Sequence, residues 1–246
     1  MTWTIHALDE TESTNADALA GRPGEVWTAL YQTAGRGRLD HKWLSPRGEN
    51  LMMSAVLDVD GVEPAECATL PLVAGLAVCR AVSSFLPPAR AVRVKWPNDV
   101  LVDGRKIAGI LCQRNGPCVI VGAGVNVRTR RFPEELAARA TSIALSSGDA
   151  ADAPSLACVR DRVLDELGRA YGRWRRDGFA ALHPDFAALD CLRGATVSVF
   201  QSETDVRPVC GVCGGIAADG SLSVGGKSVY AGEAHVKSAI VPRLGS

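Results

Sequence analysis

Val94-Lys95-Trp96-Pro97-Asn98-Asp99-Val100-Leu101-Val102-Asp103-Gly104-Arg105-Lys106-Ile107-Ala108-Gly109-Ile110-Leu111 decides how this 246-residue chain folds. Val92 to Trp96 is a β run, and Pro97 fixes its own φ and biases Trp96 toward extended backbone. Val100 to Leu111 reads as a hairpin whose turn is Asp103-Gly104, a pair that tolerates the left-handed backbone of a two-residue turn. Strands joined by turns this tight run antiparallel. The stretch therefore predicts an antiparallel or mixed sheet.

Working outward, Asn115-Gly116 marks the next turn, and Val119-Ile120-Val121 leads a strand into Gly122-Ala123-Gly124-Val125-Asn126-Val127. Upstream, Thr4 to Leu8 can be a short strand. Glu12-Ser13-Thr14-Asn15 offers caps for a helical run ended by Gly21 and Pro23. Val26 to Tyr31 and Leu51 to Leu57 read as strands. Between them, Gln32 to Asn50 has no stable period and should be a long loop, which in a compact domain is usually functional or disordered. Thr69 can cap a helix with Pro71 in its first turn, running to Phe85 and stopped by Pro87-Pro88. From Ser155, Leu156, Val159, Val163, Leu167, Tyr171 and Trp174 form the apolar stripe of a long helix. After Leu192, short Val-rich strands alternate with Asp219-Gly220 and Gly225-Gly226 turns. The expected fold is α+β, with packed helices in residues 1–191 and a small β-barrel in residues 192–246.

Apolar residues are 47% of the chain, charged residues 22%, and the formal net charge is zero. This balance argues against a surface built for nucleic acid. The N-terminus has no signal-peptide pattern, and no stretch of about 18 apolar residues offers a span, so a cytoplasmic protein is expected. The eight Cys sit in apolar contexts and read as buried small hydrophobes. Of the 27 basic residues, five are Lys: Lys42, Lys95, Lys106, Lys227 and Lys237. Where a bare cation suffices this chain uses Arg, so a Lys in a structured position is suspect.

Lys95 is such a residue. It stands at a strand end, with Asn98 and Asp99 one turn away, a set able to hold phosphate and a magnesium-bound triphosphate. The alternative is a surface turn with a Lys–Asp pair. Gln32-Thr33-Ala34-Gly35-Arg36-Gly37-Arg38 places two Arg among glycines that allow close backbone approach. It fits an anion-binding loop that orders on its ligand, and equally a solvated basic loop. Lys106 either meets an anion at the mouth of an apolar strand or snorkels to solvent. Gly122-Ala123-Gly124 lacks the third glycine and the acidic partner of a dinucleotide fingerprint, and there is no Walker A pattern. Asn126 remains a polar contact at a strand end. Cys210-Gly211-Val212-Cys213, with His235 as the nearest extra ligand, falls short of a structural zinc set.

In order, Ser13-Thr14-Asn15, Gln32 to Arg38 with Trp43, Lys95-Trp96-Pro97-Asn98-Asp99, Arg105 to Leu111 and Gly122 to Val127 closely resemble the biotin protein ligases (biotin–acetyl-CoA-carboxylase ligases) over residues 10 to 130. The resemblance implies a class II synthetase-like catalytic domain and an SH3-like terminal barrel. It implies biotinyl-5′-AMP made from biotin and Mg-ATP, then transfer of biotin to a lysine of the biotin carboxyl carrier domain of an acyl-CoA carboxylase. Biotin would be held by Ser13, Thr14, Asn15, Gln32, Arg36, Gly37, Arg38, Lys95 and Gly109. Arg36, Arg38, Trp43, Lys95, Asn98, Asp99, Lys106 and Asn126 would form the ATP and adenylate region. Lys95 and Arg38 would be the catalytic residues, and Asp99 would meet the metal and could help take the acceptor-lysine proton. Ser13 comes so early that an enzyme without the N-terminal operator-binding domain of some relatives is expected, with no nucleic acid or membrane partner and a monomeric or weakly dimeric state. Leu39-Asp40-His41-Lys42 is less basic than in some relatives. Lipoate ligation, a biotin-sensing regulator and an inactive carrier-binding module are the competing readings.

Overall fold

The computed structural model describes residues 1–38, 42–148, 153–201 and 207–238. Its main sheet is built from β1 (Thr4–Thr11), β2 (Glu25–Gln32), β3 (Asn50–Asp58), β4 (Val92–Lys95), β5 (Asp99–Val102), β6 (Arg105–Asn115) and β7 (Cys118–Asn126). The strand order is β1-β2-β3-β7-β6-β5-β4. β1 and β2 are parallel, because a crossover through α1 (Thr14–Asp17) and a 3-10 turn (Ala18–Ala20) joins them. The other neighbours are antiparallel. The expected hairpin is present: Val102 pairs with Arg105 across Asp103 and Gly104, whose φ values are 49° and 80°.

The central strands β3 and β7 are covered on both faces, which is why they read as unbroken apolar runs. Leu51, Met53, Ala55 and Leu57, with Val119, Val121, Ala123 and Val125, enter the main core. Val56 and Ile120 point the other way, onto Ala18. The main core is closed by α3 (Leu70–Ser83), which follows α2 (Pro64–Cys67), and by α6 (Leu156–Ala187). By length and composition Pro64–Ser83 could cross a membrane, but 72% of that window is buried inside the protein, as in a core helix. Two short helices, α4 (Glu134–Ala137) and α5 (Ile143–Ser146), follow β7.

The two long helices start differently. Ser155 caps α6 by accepting the Cys158 N–H at 3.1 Å. Thr69 does not cap α3 with its side chain: α2 runs directly into α3, so Thr69 already has helical backbone angles. Its hydroxyl donates to the Glu66 carbonyl and accepts from Trp174 Nε1 at 2.9 Å. The stripe on α6 buries Val159, Val163, Leu167 and Trp174, with Leu156 and Tyr171 packed at its margin. At Gly178 the helix kinks, with φ 72°, and the Glu66 carboxylate accepts the Phe179 N–H at 2.6 Å. The kink turns Phe179, Leu182 and Phe186 into the core.

Beyond α6 the chain crosses the free edge of β4. The Val94 N–H donates to the Leu189 carbonyl, and the Cys191 N–H donates to the Val94 carbonyl. It then enters a second, antiparallel sheet of β8 (Thr196–Phe200), β9 (Val209–Ile216), β10 (Leu222–Val224), β11 (Lys227–Val229) and β12 (Glu233–Ser238). The order is β11-β10-β9-β8-β12. The first half of β9 pairs with β8 and the second half with β10, so one strand bends to serve two partners. The expected barrel is not closed among the described residues. β12 spends its pairing on β8, and the three-residue β11 spends its pairing on β10. The second sheet shares the main core through Val197, Val199, Leu222 and Val224. Polar anchors reinforce it: Trp96 Nε1 donates to the Gly220 carbonyl at 3.2 Å, and His183 Nε2 lies 2.7 Å from the Ile216 carbonyl.

Candidate active site

One cavity gathers the end of β2, the β4–β5 turn and interior residues of β3, β6 and β7, and its two ends differ in chemistry. At the polar end, Ser13, Thr14 and Asn15 open α1 and are buried despite being hydrophilic. Burying such groups is costly unless they are hydrogen-bonded. Gln32 Oε1 accepts from the Thr14 N–H at 2.7 Å and lies 3.0 Å from the Thr14 hydroxyl. Beneath them Ser54 places its hydroxyl 2.7 Å from Thr14 Oγ1 and 2.6 Å from Asn15 Oδ1.

The floor is made of glycines. Strand alternation sends Ala123 and Val125 into the core and leaves Gly122 and Gly124 facing the cavity. A Cβ on Gly122 would stand 2.2 Å from Asn15 Oδ1, and one on Gly124 would stand 2.4 Å from the Trp43 ring. A Cβ on Gly109 of β6 would lie 3.3 Å from both the Trp43 ring and Lys106 Nζ. The bare backbone lets Asn15 and the Trp43 indole approach the sheet closely. The loop carrying Trp43 folds back on itself, with the Trp43 N–H donating to the Gly35 carbonyl at 3.0 Å and Arg36 bridging Lys42.

The other end is cationic. Lys95 and Asp99 face each other across the β4–β5 turn, in which the Trp96-Pro97 peptide is cis. Asn98 is locked into that turn: its Nδ2 donates to the Ile110 carbonyl at 2.8 Å, and its own carbonyl accepts the Ile110 N–H at 2.9 Å. Lys106 Nζ lies 2.7 Å from Asp99 Oδ1. Arg38 reaches across from the loop, donating to the Gly232 carbonyl at 3.1 Å and approaching Asn98 Oδ1 at 3.5 Å. Burial lowers the Arg38 pKa, and the nearby Asp99 and Glu233 carboxylates oppose that shift. Among the described residues, the lining contains Arg36, Arg38, Lys42, Lys95 and Lys106 against Asp99 and Glu233, an excess of three positive charges. A chain of zero net charge thus concentrates cations in one cleft, the arrangement that attracts an anion.

The cavity collects Ser13, Thr14, Asn15, Gln32, Arg36, Gly37, Arg38, Trp43, Lys95, Asn98, Asp99, Lys106 and Gly109. Asn126 stands apart from that lining: it is buried, and its Nδ2 donates to the Thr141 carbonyl at 3.0 Å. Leu39, Asp40 and His41 lie outside the described residues. Sequence reading missed Ser54, Lys42 and Glu233. A lone hydroxyl inside the apolar run Leu51 to Leu57 was the available signal for Ser54. For Glu233, at the start of β12, no local signal existed. Cys210 is exposed while Cys213 is buried, and the described residues contain no group of three or more His, Cys, Asp or Glu placed to hold a metal. Asp99 fits a different role. It is a carboxylate beside the cations Lys106 and Arg38, and a lone protein carboxylate is what magnesium carried by a nucleotide commonly uses.

Residues 9–126 match the model of the Biotin/lipoate A/B protein ligase family. A biotin–acetyl-CoA-carboxylase ligase of Mycobacterium tuberculosis is 36% identical over 235 residues, covering 92% of this chain and 85% of that protein. The bifunctional ligase/repressor BirA of Escherichia coli is 30% identical over 224 residues, covering 89% of this chain and 67% of that protein. Among solved structures, the biotin protein ligase from Aquifex aeolicus in complex with biotin and ATP superposes with a TM-score of 0.81 at 27% identity, over 96% of this chain and 99% of that one. Fold and kinship agree: this chain belongs to the biotin protein ligases of the biotin/lipoate A/B protein ligase family.

Proposed function

We propose that this protein is an ATP-dependent ligase that forms biotinyl-5′-AMP and transfers biotin to a lysine of a carboxylase's biotin carboxyl carrier domain. The observation that carries the reading is the two-ended cavity, with a hydrogen-bonding wall at Thr14 and Gln32 and a cationic end at Lys95, Lys106 and Arg38. A ureido ring suits the first end and a carboxylate beside a triphosphate suits the second. The kinship with the ligases of Mycobacterium tuberculosis and Aquifex aeolicus supports the same substrates.

In the first step a biotin carboxylate oxygen attacks the α-phosphorus, the bond to the bridging oxygen breaks, and pyrophosphate leaves. Such a reaction asks the protein mainly for alignment and charge compensation. Lys95, on a strand end paired with β5, would span the carboxylate and α-phosphate. Lys106, paired with Asp99 at 2.7 Å, would turn to phosphate, and Asp99 would then be the residue to hold the nucleotide's magnesium, an ion that would offset phosphate charge. The Trp43 and Arg38 segment closes over the adenylate and excludes water. In the second step the neutral acceptor amine attacks the acyl carbon, AMP leaves, and a proton is lost as the amide forms. Asp99 can take that proton once its pairing with Lys106 opens.

The reading also takes residues 1–191 and 192–246 as two domains. The bend of β9 between two partners supports an SH3-like character for the second. Asn126 belongs to this nucleotide region as a support of the β7 end. A cytoplasmic setting without nucleic acid or membrane, as a monomer or weak homodimer, fits an ATP-consuming enzyme with eight free thiols. The test is incubation with a biotin-acceptor domain, Mg-ATP and labelled biotin. Label on the acceptor lysine is expected; transfer of lipoate in place of biotin would overturn the proposal.

A further inference from the structure

Ser54 does not line the cavity, yet it is fully buried in the middle of β3, between apolar neighbours. A hydroxyl there needs partners, and it has two, both from the polar wall: Thr14 Oγ1 at 2.7 Å and Asn15 Oδ1 at 2.6 Å. The Asn15 amide is oriented by its Nδ2, which faces the Leu111 carbonyl at 3.4 Å, so its oxygen is turned toward Ser54. Gly122, paired with Ser54 across β3 and β7, leaves the space in which that oxygen sits.

Protons decide what this cluster offers a ligand. Three oxygen–oxygen contacts run in a row: Asn15 Oδ1 to Ser54, Ser54 to Thr14, and Thr14 to Gln32 Oε1, the last at 3.0 Å. Two hydroxyl protons must serve them. Gln32 Oε1, with two lone pairs, accepts both the Thr14 N–H at 2.7 Å and the Thr14 hydroxyl. Ser54 directs its own proton to the two oxygens beside it, Thr14 Oγ1 and Asn15 Oδ1. With its proton on Gln32 and one lone pair taken by Ser54, the Thr14 oxygen keeps one lone pair for a ligand.

We infer that Ser54 is a positioning residue that holds the Thr14 hydroxyl as a hydrogen-bond acceptor for an N–H of a cyclic urea. The inference rests on the biotin reading and deepens it, since a ureido ring carries two such N–H groups. It also explains a buried serine where alanine would pack. Removing Ser54's oxygen takes away the donor that fixes the Thr14 hydroxyl and releases Asn15, so recognition of the ureido ring weakens while contacts to the acid's apolar tail persist.

The test is calorimetric binding of two acids to Ser54→Ala: biotin, and the pentanoic acid that carries the sulfur ring without the ureido ring. Biotin affinity is expected to fall roughly tenfold, the worth of one to two hydrogen bonds, and affinity for the stripped acid to stay within about twofold. Equal weakening of both would make Ser54 merely structural and overturn the inference, as would unaltered biotin binding. In a Thr14→Val background the Ser54→Ala change should cost less than about twofold, because the route through Thr14 is already gone. A full tenfold loss there would also overturn it. Ser54→Cys, near in size and with a weak S–H donor, should fall between wild type and Ser54→Ala; a loss beyond that of Ser54→Ala would count against the proton account. Wild-type protein that binds the stripped acid but not biotin would overturn the functional reading itself.

Discussion

Gly124→Ala separates the stability of the fold from the closing of its loop. Gly124 sits on β7 opposite Met52 of β3 and Gly109 of β6, hydrogen-bonded into the sheet on both sides. A Cβ there would stand 2.4 Å from Trp43 Cε2 and 2.7 Å from Cζ2. Carbon–carbon contact needs about 3.5 Å, so something must retreat by roughly 1 Å. The strand is held by ladders on both edges; Trp43 rides on the loop and can leave. Gly124 is not in the left-handed region, and replacing a strand-interior glycine by alanine is worth about 0.5–1 kcal/mol of stability. The displaced indole forfeits part of its packing in the closed state, on the order of 1–2 kcal/mol, or about 5–30-fold in closed population. The expected result is an unchanged or slightly raised Tm, with KM for biotin and the escape rate of biotinyl-AMP both up by about 5–30-fold. A pulse of labelled biotin with ATP, chased with unlabelled biotin, reads the escape directly. Unaltered retention would remove Trp43 from the closing loop, and a large drop in Tm would show that the strand, not the loop, yields.

Other perturbations probe the opposite end of the cavity and the joint behind it. Lys95→Ala should abolish adenylate formation with Tm within about 2 °C of wild type, since the side chain is half-exposed; an unchanged rate of pyrophosphate release would reassign Lys95. Arg38→Ala loses its bond to the Gly232 carbonyl and its place beside Asp99, so the adenylate should escape roughly tenfold faster, and equal retention in a chase experiment would refute the latch. Asp190 tests the joint between the sheets: burial raises its carboxyl above the ordinary range against the backbone hydrogen bond from Leu192, and Oδ2 is buried with no hydrogen-bond partner among the described residues. A carboxyl with a raised folded pKa destabilises as pH climbs through its unfolded and folded values, and has no such cost below them. Asp190→Asn should therefore raise Tm at pH 7.5 and lose that advantage near pH 3.5, and equal shifts at both pH values would show that ionisation is not the cause.

The sequence by itself determined the local pieces. Asp103-Gly104 made a hairpin because backbone conformation at a turn is set by the turn residues themselves, and the pairing of Val102 with Arg105 follows. The stripe from Leu156 to Trp174 made a helix because its period is a property of neighbours. Lys95 stood out because a rare cation at a strand end can be noticed without knowing what it faces. Tertiary structure decided what depends on residues distant in the chain. Gly122-Ala123-Gly124 looked like a failed nucleotide fingerprint, and only the approach of Asn15 and Trp43 shows why side chains are absent there. Thr69 had the composition of a cap, but α2 arriving in helical register took that role away. The open second sheet, which brings Gly232 and Glu233 to an arginine nearly two hundred residues earlier, rests on strand pairings that no local pattern encodes. Ser54 shows the same limit most sharply. Its hydroxyl is visible in the sequence, but its meaning lies in two oxygens about forty residues away.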